Sequence, residues 1–367
     1  MVKSIKYIGL DVHKNSIAIA IADIGRENEP RFWGQIENNL DQLNKVLQKI
    51  ACDGSELSCV YEAGPCGYTI YRYLTGNGID CSVTAPSKIP RKSGDRIKND
   101  RRDALTLARL HRSGELTSVY VPSPEDEALR DLVRAREDAQ QALRKNKQQL
   151  GAFLLRHNLV FSGKTMWSSA FFNWLADICM QHPAQQFVLQ EYADAVESCS
   201  QRVERYTSQI KELSKQTRLY PLIVGLQTMR GVSLIVAATM AAELGDLKRF
   251  ETPSQMMAYL GLVPSESSSG PKIKRGSITK TGNGHVRKVL IEAAQTYRFQ
   301  ARISRAIRKR QEGIPEKIRA IAWKAQVRLC ARYKQLSAKG KNTNLIKTAI
   351  AREIVGFSWA IAQEVNI

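Results

Sequence analysis

The chain has 367 residues, 55 of them Lys or Arg and 35 Asp or Glu, for a formal charge of +20. That length supports two or three domains, each with its own core, while no run reaches the 18 consecutive apolar residues of a membrane span. The charge is uneven: residues 271–367 hold 22 Lys/Arg against five Asp/Glu, a concentration that points to a polyanion, nucleic acid ahead of a membrane surface. The opening residues enter a strand pattern rather than a basic-then-apolar leader. Seven cysteines (Cys52, Cys59, Cys66, Cys81, Cys179, Cys199, Cys330) form no CxxC and lie near no His pair at zinc spacing, so they read as reduced thiols. The expectation is a soluble cytoplasmic protein with no membrane partner.

In chain order, "IKYIGLDVH", "SIAIAIADI" and "RFWGQIE" read as three strands, the first two a hairpin across "DVHKN". Ile17, Ile19 and Ile21 repeat with the period of two that gives a strand a buried face. A helix follows at "NLDQLNKVLQKIA", with Leu40, Leu43, Val46, Leu47 and Ile50 on one side. The strand "LSCVYEAG", the helix "YTIYRYLTGNG" and the strand "IDCSVTAPS" complete an α/β arrangement with a mixed sheet. "SKIPRKSGDRIKND" reads as an exposed basic loop, and a helix begins near Asp100.

Residues 123–216 change to long polar helices. Leu189, Tyr192, Val196, Cys199, Val203, Tyr206, Ile210 and Leu213 alternate spacings of three and four, the seam of a coiled coil. A weaker seam runs through Leu132, Ala139, Leu143, Leu150 and Phe153, interrupted by Arg136 and Asn146. The two are expected to pair as an antiparallel hairpin or between subunits. From 217 the pattern is compact and helical. Arg230-Gly231-Val232-Ser233 joins two apolar runs as a helix-hairpin-helix whose glycine turn could offer N–H groups to a phosphate. Thr252, Pro253 and Gln255 open a helix with a capping box that Gly261 ends. The tail from about 302 is helical and densely basic, with Arg308 and Arg310 among its cations and Trp323 and Tyr333 between them, and reads as a nucleic-acid surface.

One feature of the first strand asks for compensation. Asp11 sits at the exit of an apolar strand, where a lone buried carboxylate costs several kcal/mol. Glu62 closes another strand of the same unit, and Asp100 and Asp103 stand three apart on one helix face. Four acids converging on one patch repel each other unless a divalent metal neutralises them, and oxygen-only ligands favour Mg²⁺ or Mn²⁺. Such ions serve phosphodiester chemistry. His13 and Lys14 either approach a phosphate from the turn or are simply solvated there.

These residues resemble the IS110-type transposases, including the bridge-RNA-guided recombinases. The likeness lies in "YIGLDVHK", in "YEAGPCGY" around Glu62, in "KNDRRDALTLARL" and in "AYLGLVPSESSSGPKIKRGSITKTGNGHVRKVLIEAA", in the same order over most of residues 5–300. It implies a RuvC-like, ribonuclease-H-type domain whose DEDD acids match Asp11, Glu62, Asp100 and Asp103. It also implies a C-terminal transposase domain whose catalytic serine, just before a glycine after "GLxP", falls on Ser269. In that family the serine becomes joined to a DNA end, and the site combines the acids of one subunit with the serine of another. The implied partners are donor and target DNA, a structured noncoding bridge RNA and further copies of the chain, as a dimer or tetramer. The residues around Ser269 suit the role, since Lys272, Lys274 and Arg275, with Lys280 and Arg287 further on, could hold a phosphate.

The expected organisation is therefore a RuvC-like domain over 1–122, a helical coiled-coil region over 123–216 and a mainly helical transposase domain over 217–367. The expected function is Mg²⁺-dependent strand transfer through a covalent serine intermediate. The nearest rival is a metal-dependent nuclease or junction resolvase that hydrolyses DNA without the serine. An actin-like ATPase is disfavoured because His13 and Lys14 stand where Gly and Ser or Thr would cradle phosphate, and a noncatalytic binding protein leaves the acids unexplained.

Overall fold

A computed structural model describes residues 4–25, 27–90 and 99–366. Most of the expected basic loop, residues 91–98, lies outside the described residues. The chain divides into two units, residues 1–121 and 122–367.

The first unit is a five-stranded sheet in the order β3-β2-β1-β4-β5, built from β1 (Ile5–Val12), β2 (Ser16–Asp23), β3 (Arg31–Glu37), β4 (Glu56–Glu62) and β5 (Asp80–Thr84). The first three strands form an antiparallel meander, while β4 and β5 join β1 in parallel. Parallel neighbours need crossovers, and helices α1 (Leu40–Ile50) and α2 (Thr69–Gly76) supply them. This is the ribonuclease-H-type mixed sheet that the sequence led us to expect.

Both faces of β2 are buried, which goes beyond the single face that its isoleucine period marks. Ile17, Ile19 and Ile21 join Leu43, Leu47 and Leu74 in one core. Ala18, Ala20 and Ala22 pack on the other side against Ala104 and Ala108 of α3 (Asp100–Arg112). Small side chains on that face let α3 lie close to the sheet. Gly9 brings β1 closer still: a methyl group there would stand 2.3 Å from Ala104 O and 2.4 Å from Ala108 N.

The last turn of α3 is tied down as well. Ser58 Oγ donates to Asp80 Oδ2 (2.5 Å), leaving a lone pair for His111 Nε2 at 2.8 Å, and Tyr7 meets the imidazole edge-on. Burial holds the His111 pKa below its ordinary 6.5, partly opposed by Asp80. Protonation therefore favours the unfolded chain, and stability falls as the pH drops below about 6.5. The melting temperature of the wild type should exceed that of His111→Asn at pH 7.5, and the gap should close by pH 5.5; a gap independent of pH would refute the assignment.

The second unit begins with a long antiparallel hairpin of α4 (Pro124–Arg156) and α6 (Pro183–Leu213), with α5 (Ser169–Ala176) at its tip. The two seams meet within the chain: Leu143, Leu150 and Phe153 share a core with Leu189 and Val196, although Leu213, at the end of the α6 seam, is exposed. The two interrupting residues are cross-helix ties, Arg136 Nε donating to Thr207 Oγ1 (2.8 Å) and Asn146 Nδ2 to Cys199 Sγ (3.1 Å).

The base of the hairpin shares its core with the remaining elements. Leu129, Val133 and Ile210 pack with residues of α7 (Tyr220–Leu226), α8 (Leu234–Leu244), α9 (Pro253–Tyr259), α10 (Gly284–Ala294) and, after the short α11 (Arg305–Arg310), of α12 (Glu316–Ala338) and α13 (Thr343–Gln363). The helical middle and the C-terminal region are thus one unit. The basic tail is not a detached surface. One face of its α13 is core, through Ile346, Ile350, Ile354 and Ile361, and Tyr333 is buried, so it cannot stack on a base; Trp323 is 42% exposed. Part of the positive charge ties α12 to α13, through Arg328 and Arg332 on Glu353 and Lys317 on Glu364. No helix among the described residues is long and apolar enough to cross a membrane.

Candidate active site

Asp11 is the second-last residue of the central strand β1, and the period of two puts it on the same face as Gly9, toward α3. Its side chain is 13% exposed. Asn99 caps α3, its side chain accepting from Arg102 N (2.9 Å), so Asp100 and Asp103 fall in the first turn, where the helix dipole favours carboxylates. The close β1–α3 contact at Gly9 brings that turn to Asp11. Burial raises the pKa of Asp11, with His13 opposing and Asp103 and Asp100 adding to the rise. Glu62 ends β4, whose parallel register with β1 pairs Leu10 with Tyr61. The next residues along, Asp11 and Glu62, therefore finish neighbouring strands on the same face.

His13 was not separable from a solvated turn residue by composition, and the structure turns its ring into this site. Nε2 lies 3.3 Å from Asp11 Oδ2 and 3.5 Å from Asp100 Oδ1. Donor atoms of Asp11, His13 and Asp100 all fall within 4.8 Å of one another. The signal was available, because His13 follows Asp11 by two residues, just past the end of β1. Concentrated carboxylates with one of them kept partly out of water fit a divalent cation, which would relieve both the repulsion and the burial cost.

Ser269 belongs to the second unit. It stands at the tip of a two-stranded ribbon of β6 (Pro264–Glu266) and β7 (Arg275–Ile278). Ser269 N donates to Lys272 O (3.2 Å) and Lys272 N to Ser269 O (3.3 Å). The two residues between them are Gly270, at φ +58°, and Pro271, with its fixed φ, a pair suited to a tight hairpin turn. Residues 265–277 are all exposed, and among the described residues nothing hydrogen-bonds the Ser269 hydroxyl.

The ribbon is fixed at its base. A methyl at Gly282 would collide with Tyr259 O, and one at Gly261 would stand 2.4 Å from Thr281 O. Asn283 Nδ2 donates to Glu243 (2.6 Å), and Glu137 receives His285 Nδ1 and Lys288 Nζ at 2.6 Å each. Of the cations expected to meet phosphate, Lys272, Lys274, Lys280 and Arg308 are exposed. Arg275 pairs with Glu266 (3.1 Å). Arg287 donates through one nitrogen to Leu260 O (2.8 Å) and Thr281 O (2.9 Å), and Arg310 donates to Val232 O (2.7 Å). The glycine turn of the helix-hairpin-helix is likewise engaged inward, a methyl at Gly231 falling 2.6 Å from Ala293 O and Arg230 donating to Gln300 O (2.9 Å).

A transposase family profile of the IS110 DEDD type matches residues 8–159, and the profile described as "Transposase IS116/IS110/IS902 family" matches residues 225–309. The chain belongs to the IS110 family of transposases. Among its relatives, the "Putative transposase y4qE" of Sinorhizobium fredii (strain NBRC 101917 / NGR234) is 46% identical over 98% of this chain and 88% of its own length. The transposase for insertion sequence element IS1533 of Leptospira borgpetersenii is 32% identical over 91% of this chain and 97% of its own. That for IS1111A of Coxiella burnetii (strain RSA 493 / Nine Mile phase I) is 23% identical over 80% and 78%. Within this IS110-family chain, one matched segment carries all four acids and the other carries Ser269.

Proposed function

We propose that this transposase cuts and rejoins donor and target DNA at a composite site, with Asp11, Glu62, Asp100 and Asp103 holding a divalent metal and Ser269 acting as nucleophile. The observation that carries the reading is the convergence of Asp11 and Asp100, with Asp103 adding its charge and Glu62 in register beside them. Mg²⁺ or Mn²⁺ held by these carboxylates would supply positive charge at the scissile phosphate. Ser269 Oγ gives up its proton to solvent and bonds to phosphorus as the strand's own P–O bond breaks, and the departing strand end takes up a proton to leave as a hydroxyl. Rejoining runs the exchange in reverse with a different strand, so bond energy is conserved without ATP.

A serine on an exposed ribbon, with no hydrogen-bond partner for its hydroxyl among the described residues, needs an acidic, metal-holding surface to act. That favours assembly of a dimer or tetramer in which the serine of one subunit meets the acids of another. Exposed Lys272 and Lys274 would hold the phosphate beside the serine. Lys280, Arg308 and the excess of cations over residues 271–367 support contacts to DNA and to a structured noncoding RNA as guide.

The test uses the purified protein with Mg²⁺, RNA transcribed from the flank of its element, and labelled donor and target DNA. A protein–DNA adduct should survive denaturation, and Ser269→Ala and Asp11→Ala should each reduce it at least about a thousandfold. Cleavage that needs Asp11 yet gives no adduct would replace strand transfer by hydrolysis.

A further inference from the structure

The imidazole of His13 enters a centre whose expected ligands are all oxygens. Its Nε2 stands 3.3 Å from Asp11 Oδ2 and 3.5 Å from Asp100 Oδ1. An imidazolium clasped between two carboxylates closes to about 2.7–2.9 Å from each; both observed separations are longer. Nitrogen and oxygen donors sharing one cation, each about 2.0–2.2 Å from it, stand about 3.0–3.6 Å apart. Nε2 is within hydrogen-bond reach of Asp11 Oδ2, and both distances match donors that share one cation.

Hydrogen bonds hold the main chain of His13 beside this site. His13 N donates to Ser16 O (2.8 Å), closing the β1–β2 turn, and Asn38 Nδ2 donates to His13 O (2.8 Å), clamping it from the start of the α1 crossover. Just beyond the end of β1, the side chain turns to the side that Asp11 occupies. With half of its surface exposed, the ring is reachable by an ion from solvent, whereas Asp11 closes the inner side.

We propose that His13 Nε2 is a direct ligand of the divalent cation held by Asp11 and Asp100, making a mixed nitrogen–oxygen centre that binds Mn²⁺ in preference to Mg²⁺. Imidazole suits first-row transition ions, whereas Mg²⁺ is a hard ion that holds to oxygen. The inference rests on the reading of the acids as a metal centre.

The experiment is Mn²⁺ binding to the full chain without nucleic acid, followed by electron paramagnetic resonance, with electron spin-echo envelope modulation to detect nitrogen bound directly to the ion. Wild-type protein should bind Mn²⁺ with a directly coupled ¹⁴N that disappears in His13→Ala. The same substitution should weaken Mn²⁺ by about tenfold or more and Mg²⁺ by clearly less. Circular dichroism checks that the variant folds, and the coupling in the unaltered protein does not depend on any variant. Mn²⁺ that is lost in Asp11→Asn but shows no ¹⁴N coupling in the wild type, or coupling that persists in His13→Ala, would overturn the ligand role and leave the acidic centre standing. Mn²⁺ binding that is absent, or indifferent to Asp11→Asn, would remove the metal centre and the ligand with it.

Discussion

Gly9→Ala is expected to disable the N-terminal unit although Gly9 touches no substrate. Its new methyl would fall 2.3 Å from Ala104 O and 2.4 Å from Ala108 N, backbone atoms in mid-helix that cannot rotate away. Helix α3 must then lift from the sheet, and the alanine-lined contact with β2 opens with it. Overpacking of this kind costs about 3 kcal/mol, which for a unit of this size lowers the melting temperature by about 10 °C. The chemical consequence is larger than the thermal one, because α3 carries Asp100 and Asp103. A shift of about 1 Å parts them from Asp11, and cleavage at a temperature where the variant is folded should drop by about a hundredfold. Gly76→Ala is the control: no atom lies within 4 Å of a methyl there, and it ends α2 without a positive φ, so stability should hold or rise slightly. Equal melting temperatures for Gly9→Ala and the wild type would refute the close-packing account.

Glu243→Ala should have the largest effect on the second unit. The Glu243 side chain is 1% exposed. It receives Arg134 through two bonds (2.7 and 2.9 Å) and Asn283 Nδ2 (2.6 Å), with Arg130 Nε at 3.8 Å. Arg130 is itself buried, so removing the carboxylate strands a guanidinium with only backbone carbonyls for company. Breaking a buried pair from one side costs about 3–5 kcal/mol, read as a fall of about 10 °C in melting temperature. Burial pushes the Glu243 carboxyl up, but the Arg134 bonds and charge, with Asn283 and Arg130, outweigh it and hold the pKa below 4.5. Its contribution is therefore complete above about pH 4.5 and is lost as the pH falls through the folded value. Asn283 also caps α10, directly after the loop that leads from the serine ribbon. Losing Glu243 should consequently lower adduct yield even below the melting transition; an unchanged melting curve would show that the cluster carries no stability.

Much of this protein was legible from residue order because its signals are local. Period-two isoleucines, the three-and-four seam of residues 189–210, the Asn99 and Thr252 caps and Gly261 each depend on neighbours within one element, and the motifs around Asp11, Glu62, Asp100 and Ser269 identified the family. Arrangements that depend on contacts distant in sequence were not legible. The alanines between the isoleucines of β2 have no meaning until α3 covers them, and Gly9 looks like any strand glycine until Ala104 and Ala108 arrive 95 and more residues later. His13 read as a turn residue because a turn is what local sequence describes; only folding brings Asp100 to its ring. Cation counts say little about position in the same way, since Lys, Arg and Tyr have no fixed side to face: Arg287 and Arg310 each set a guanidinium nitrogen on backbone carbonyls, and Tyr333 lies in the core. Sequence by itself determined the elements and the family, because propensity, periodicity and motifs are written in short runs of residues. Tertiary structure decided which charges meet and which are spent, because burial and electrostatics act through space between segments that the chain keeps far apart.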